Sequence, residues 1–138
     1  MRILISEDDL INRKILGKFM EPFGEIVLAA DGNEAIAKYH EARDASKPFD
    51  LMFLDMIMPH KNGLETLEEI RKYEKEKGLA GKSQVPIIML TGQGDAVQIN
   101  YALTLGISDY MLKPIDESKL IRELQRLGLI PDPQDQWT

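Results

Sequence analysis

Five short apolar runs set the tightest limit on how this chain folds. They are Ile3 to Ser6, Ile26 to Ala30, Leu51 to Leu54, Pro86 to Leu90 and Asp109 to Leu112, with longer stretches of helical period between them. Runs this short, apolar at consecutive positions, suit strands buried on both faces. Their alternation with helices is the pattern of a parallel sheet wrapped on both sides. Apolar residues recur every four positions at Ile11, Ile15 and Phe19, and again at Val97, Tyr101 and Leu105. Leu120, Leu124 and Leu127 mark a last helix, with Gly128 just past it as a stop signal. The segments DGNEAIAKYHEA and NGLETLEEIRKYEKEK supply two more, each opened by a turn containing Gly32 or Gly63. Five strands alternating with five helices predict a doubly wound α/β domain.

A chain of 138 residues fits one such domain around one core. The expected limits are a domain over residues 1–128 and a tail over 129–138, whose two prolines and lack of period predict no output domain. A net charge of -6, with no basic patch interleaved with aromatics, argues against a nucleic-acid partner. Cysteine is absent, which excludes disulfides and thiolate metal sites. The apolar run in MRILISED is too short for a signal peptide or a membrane span. The expectation is a cytoplasmic protein with no membrane partner, monomeric or weakly dimeric.

Ligands of doubly wound folds sit beyond the carboxyl ends of the strands, so function is sought there. Those ends offer Glu7, Asp8 and Asp9 after the first strand, Asp55 after the third, Thr91 after the fourth and Lys113 after the fifth. The second ends in Ala30 and contributes nothing obvious. Carboxylates from neighbouring strand ends repel unless a cation lies between them. Mg²⁺ suits such a set, because it takes oxygen ligands and keeps positions open for a phosphoryl group. Lys113 and the Thr91 hydroxyl then offer charge and a hydrogen bond to that group's oxygens. Together these parts describe a carboxylate that accepts a phosphoryl group. Taken singly, Asp55 and Thr91 also read as helix caps, Lys113 as a solvated lysine and Tyr110 as core. His40 and His60 read as surface residues, and Trp137 as a loosely docked tail residue.

With EDD after the first strand, DMIMP and NG after the third, PIIMLTG in the fourth and GISDYMLKP through the fifth, the chain resembles the receiver domain of two-component response regulators, in its stand-alone, CheY-like form. The resemblance runs from Arg2 to about Leu127. It implies a flavodoxin-like, five-stranded parallel sheet of order 2-1-3-4-5. It further implies that Asp55 is the phosphoacceptor and that Asp8 ligates Mg²⁺, for which Mn²⁺ is a possible substitute. Glu7 would act mainly through a metal-bound water, and the backbone carbonyl of Ile57 would complete the protein ligands. Thr91 would bind a phosphoryl oxygen, Lys113 would pair with the phosphoryl charge, and Tyr110 would be the switch aromatic. The Lys113–Pro114 bond would be cis, where frequency alone, about 5–6% of X-Pro bonds, predicts trans. The implied partners are a sensor histidine kinase or histidine phosphotransfer protein, and an unknown downstream target met through the face of the fourth helix, fifth strand and fifth helix. Two alternatives stay open, a phosphorelay intermediate and a receiver-fold module that binds without phosphorylation.

Some positions depart from the pattern or refine it. Lys61 stands where the family commonly has an apolar residue. Ile57 and Gln93 flank the site, and an apolar Ile57 cannot place an attacking water, which predicts slow self-dephosphorylation. Leu10, Ile11, Pro114 and Ile115 are positioned to dock a phosphodonor. Asp9, at the entry to the first helix, reads as its cap rather than as a ligand.

Overall fold

Every apolar run becomes a strand whose ends lie within one residue of those expected. The computed structural model describes residues 1–92 and 94–132, so the expectations for Gln93 and Trp137 fall outside the described residues. In chain order the elements are β1 (Arg2–Ser6), α1 (Leu10–Met20), β2 (Glu25–Ala29), α2 (Gly32–Asp44), β3 (Leu51–Asp55), α3 (Gly63–Glu76), β4 (Ile87–Thr91), α4 (Ala96–Thr104), β5 (Asp109–Leu112) and α5 (Glu117–Arg126). All strand pairs are parallel and the sheet runs β2-β1-β3-β4-β5, the flavodoxin-like order. Two 3-10 turns complete the set: Glu21–Phe23 follows α1, and Gly81–Ser83 lies within the stretch before Val85 that reads as plain loop.

Side-chain parity along the strands decides which helices cover which face. Leu4, Met52, Leu54, Ile87 and Met89 point to the side packed by Ala35, Ile36 and Tyr39 of α2, Leu67 and Ile70 of α3, and Ile99 and Ala102 of α4. Ile3, Ile5, Leu51, Phe53, Ile88 and Leu90 point the other way, against Leu16 and Met20 of α1 and Leu120 and Leu124 of α5. Each fully buried Leu or Ile contributes about 1.5–3 kcal/mol relative to exposure. Leu129 and Ile130 pack on the second of these cores, so packing continues past residue 128.

The helix stripes differ from the plain periodic reading. Ile11 is 69% exposed and Val97 79%, with Ile15 and Tyr101 also exposed. α1 turns Leu16 and Met20 to the sheet instead, and α4 turns Ile99 and Ala102. His40 is a correction of another kind. It is half-buried, edge-on to Tyr39 at 5.4 Å and to Tyr73 at 4.5 Å.

Four helices open on a side-chain cap that accepts an N–H of the first turn. Asp9 takes Asn12 N at 3.0 Å, as expected, Asp31 takes Glu34 N at 2.9 Å and Asp116 takes Lys119 N at 2.9 Å. Asn62 and Glu65 form a reciprocal capping box on α3. At α4 the N-cap residue Asp95 makes no such bond; its carboxylate accepts Gly92 N at 2.9 Å. α5 ends as Gly128 predicts. This glycine sits at φ 75°, its N–H donates to Gln125 O at 3.0 Å, and Leu129 N donates to Leu124 O at 2.9 Å.

A buried polar network ties the N-terminal edge of the sheet. Glu74, fully buried, accepts from Tyr39 Oη at 3.0 Å, Val85 N at 2.9 Å and Arg71 Nη1 at 2.6 Å, with Arg43 Nη2 at 3.4 Å. Arg71 Nη2 reaches on to Gly106 O at 2.9 Å, behind α4. Burial, and then the Glu74 charge, push the Tyr39 hydroxyl well above its ordinary pKa.

Candidate functional site

Register and parity assemble one group of side chains at the carboxyl edge. Ser6 pairs with Leu54 and Asp55 with Leu90, so Glu7 and Asp55 end adjacent strands at the same height. By alternation Glu7 follows Ile3 and Ile5, Asp55 follows Phe53, and Lys113 follows Met111, which places all three on the face of α1 and α5. Thr91 has the opposite parity. The chain leaves β1 toward β2 on one side and later returns to β3 on the other, so the carboxylates stand where the strand order reverses.

Lys113 Nζ lies 2.9 Å from both Asp55 Oδ1 and Asp55 Oδ2, and 3.6 Å from Glu7 Oε2. Asp55 is 2% exposed and Glu7 1%, whereas Asp8 is open to solvent. Ile57 N donates to Asp55 Oδ1 at 3.2 Å, and Asp9 N to Glu7 Oε1 at 3.1 Å. Glu7 Oε2 is buried with no hydrogen-bond partner among the described residues. Burial, and then the neighbouring Asp55 carboxylate, raise the Glu7 pKa from 4.5 to about 8. Burial pulls the Lys113 ammonium down, but its bond to Asp55 and the charges of Asp55 and Glu7 outweigh this and hold it above its ordinary value.

Oxygens of Glu7, Asp8 and Asp55 all lie within 4.8 Å of one another. An all-oxygen set containing one orphaned buried carboxylate atom fits a small hard divalent cation, and Mg²⁺ is such an ion. The sequence-expected residues Glu7, Asp8, Asp55 and Lys113 thus meet, with the Ile57 backbone beside them.

Thr91 is buried at the end of β4, and its Oγ1 donates only a long bond, 3.4 Å, to Met111 O. Tyr110 is exposed on the edge strand β5. A cavity of about 380 Å³ borders both, lined also by Gly92, Asp95, Ile99 and Leu112. The Lys113–Pro114 peptide is cis. A larger groove of about 1080 Å³ between α3 and α4 holds none of these site residues. Lys61 pairs through its ammonium with Glu69 of α3, away from the carboxylates.

The β2–α2 corner, which offers nothing obvious in sequence, is bonded to the site's supports. Glu7 N donates to Ala29 O at 3.1 Å, Ser6 Oγ to Asp31 O at 3.2 Å and Gly32 N to Lys61 O at 3.0 Å. The glycine in the DG pair is the only signal of this in the sequence.

Residues 3–125 match the family model described as the response regulator receiver domain. The chain is 31% identical over 127 residues to the transcriptional regulatory protein CpxR of Klebsiella pneumoniae, which is 91% of this chain and 48% of that protein. It thus spans about half the length of that curated relative. Among solved structures it is similar to the magnesium-bound receiver domain of a Pseudomonas aeruginosa sensor histidine kinase, at 30% identity and TM-score 0.70, covering 91% of this chain and 94% of that one. It is also similar to the receiver domain of the Saccharomyces cerevisiae response regulator Ssk1, crystallised with the histidine phosphotransfer protein Ypd1. That match has 28% identity and TM-score 0.79, covering 96% of this chain and 94% of that one.

Proposed function

The chain belongs to the response regulator receiver domains of two-component signalling; from that premise we propose that Asp55 takes a phosphoryl group from a phosphohistidine in a reaction that requires Mg²⁺. The donor is a sensor histidine kinase or a histidine phosphotransfer protein. The observation that carries the assignment is Lys113 Nζ at 2.9 Å from both Asp55 oxygens, on the same face as Glu7. A nearly buried carboxylate held by its own cation, with two acidic neighbours able to share a metal ion, is placed to act as the nucleophile toward phosphorus.

An Asp55 oxygen attacks phosphorus, the P–N bond to the donor histidine breaks, and its electron pair leaves on the imidazole, giving an aspartyl phosphate. Glu7, Asp8, Asp55 and the Ile57 carbonyl would hold Mg²⁺, with Mn²⁺ as substitute, and the ion when bound neutralises phosphoryl oxygen charge. Lys113 pairs with that charge from the β5 side. Thr91, whose present hydrogen bond is weak, turns its hydroxyl to a phosphoryl oxygen. Tyr110, across the shared cavity, follows and alters the α4-β5-α5 face that the downstream target reads.

Leu10, Ile11 and Pro114 are exposed around the site and, with the half-buried Ile115, form the donor's docking rim. The exposed, apolar Ile57 flank slows self-dephosphorylation. The reading extends to a stand-alone cytoplasmic receiver over residues 1–128, which the size of the native protein in cell extract tests. Among the described residues no helix is long and apolar enough to cross a membrane. A relay role is the second reading, favoured by the likeness to a receiver that belongs to a sensor kinase. Return of the phosphoryl group to a phosphotransfer domain would select it.

Incubation with acetyl phosphate, with and without Mg²⁺, followed by intact mass, tests the proposal. One added phosphoryl mass, dependent on Mg²⁺ and lost in Asp55→Asn, is expected. An unlabelled wild-type protein under every condition would refute it.

A further inference from the structure

The β2–α2 corner holds the loop from β3 to α3 through its main chain, directly at Gly32 and by way of the Ser6 hydroxyl at Asp31. Gly32 N donates to Lys61 O at 3.0 Å. Ser6 Oγ lies 3.2 Å from Asp31 O and 3.1 Å from Met58 Sδ, joining the corner to the same loop. The need for glycine at position 32 is one of space. A Cβ there would fall 2.1 Å from Thr66 Oγ1 and 2.5 Å from Lys61 O, and the second of these atoms is main chain. The gripped loop is otherwise tightly folded. Lys61 N donates to Pro59 O at 2.7 Å, His60 sits at φ 64°, and Gly63 N donates to Met56 O at 3.2 Å. At the loop's other end Ile57 N bonds Asp55 Oδ1 at 3.2 Å.

We propose that Gly32 is a positioning residue for the cation site: by admitting the Lys61 main chain against the start of α2, it fixes the β3–α3 loop and with it the Ile57 backbone beside Asp55. This deepens the functional reading above and rests on it. Gly32 touches no ligand; it acts through Lys61 and the loop. Supports behind metal ligands commonly govern affinity by about 10- to 100-fold.

Calorimetric titration with Mg²⁺ tests this on Gly32→Ala, on the double variant Gly32→Ala with Thr66→Ala, and on Gly17→Ala, whose added methyl would meet nothing within 4 Å. Gly32→Ala is expected to weaken Mg²⁺ binding about tenfold. The double variant stays weak, because Lys61 O still obstructs the methyl, and Gly17→Ala binds like wild type. Wild-type affinity in Gly32→Ala, or its return in the double variant, overturns the inference. If Gly32→Ala does not fold, amide NMR of the unaltered protein decides. On Mg²⁺ titration the Gly32 and Lys61 amides should shift with the same midpoint as Ile57, and a still Gly32 amide beside a shifting Ile57 refutes the coupling. A wild type that binds no Mg²⁺ at all defeats the functional reading itself, an outcome separate from these.

Discussion

Glu7 Oε2 and Lys113 Nζ approach to 3.6 Å without hydrogen bonding, so the more deeply buried partner of this ion pair is left with an unsatisfied atom. Burial, and then the Asp55 carboxylate beside it, raise the pKa of the Glu7 carboxyl. With a folded pKa of about 8 against 4.5 for the free group, the folded state binds the proton that the unfolded state has lost between those values. Metal-free stability should therefore fall as pH rises through that window, by at most about 1.4 kcal/mol per pH unit, and level off on either side. Urea unfolding in chelator across the window should show the slope in wild type and a flatter one in Glu7→Gln. Equal slopes would remove Glu7 from the account. Mg²⁺ must displace the same proton, so its affinity should rise with pH over this range.

Thr91→Val keeps the shape of the side chain and deletes its hydroxyl. Because the bond to Met111 O is 3.4 Å long, the resting protein should lose no more than about 1 kcal/mol. Acetyl phosphate should still label Asp55, while the amide shifts that phosphorylation causes around Tyr110 and α4 should shrink. Full-sized shifts in the variant would sever Thr91 from the switch.

Leu10 and Ile11, the first two residues of α1, are exposed apolar groups at the rim of the site. Leu10→Asp and Ile11→Asp should each slow transfer from the cognate phosphodonor several-fold and leave labelling by acetyl phosphate unchanged. Unchanged transfer from the protein donor would place the docking surface elsewhere.

Glu74 collects bonds from Tyr39, Val85 N and Arg71, with Arg43 close by, in full burial. Glu74→Ala leaves Arg71, only 9% exposed, without its counter-charge and should cost about 3–5 kcal/mol, read by urea denaturation. Mg²⁺ affinity of the folded fraction should not move, since the network lies at the opposite edge of the sheet.

The phosphorylated protein should outlive many minutes at neutral pH, because the apolar side chain of Ile57 offers no group to orient a water. Replacing it by Asn should shorten the lifetime several-fold, as intact mass against time would show. A half-life of seconds in wild type contradicts this expectation.

Strands and strand-end chemistry were readable in the sequence for one reason. A parallel strand buried on both faces writes its position as a continuous apolar run, and the topology then sends whatever follows it to one edge. Asp9 was separable from Glu7 and Asp8 because a helix cap is a local property. The sided nature of α1 and α4 was not readable in this way. Ile11, Ile15, Val97 and Tyr101 keep the helical period yet face outward, since period alone does not say which apolar stripe meets the sheet. Two long-range features left almost no trace. The Tyr39–Glu74 bond joins residues on different helices, and Gly32 owes its identity to a carbonyl at Lys61.

The uneven capping of the helices has an energetic consequence. Displacing the first turn of α1, α2, α3 or α5 would break a side-chain cap, worth about 1 kcal/mol each. At α4 the Asp95 carboxylate is spent on Gly92 N, one residue past Thr91, so the helix forfeits no cap when it moves. A pull on the end of β4 would thus meet, at the start of α4, the one helix start of the five that, among the described residues, has no side-chain cap to break, beside the face proposed above to meet the partner.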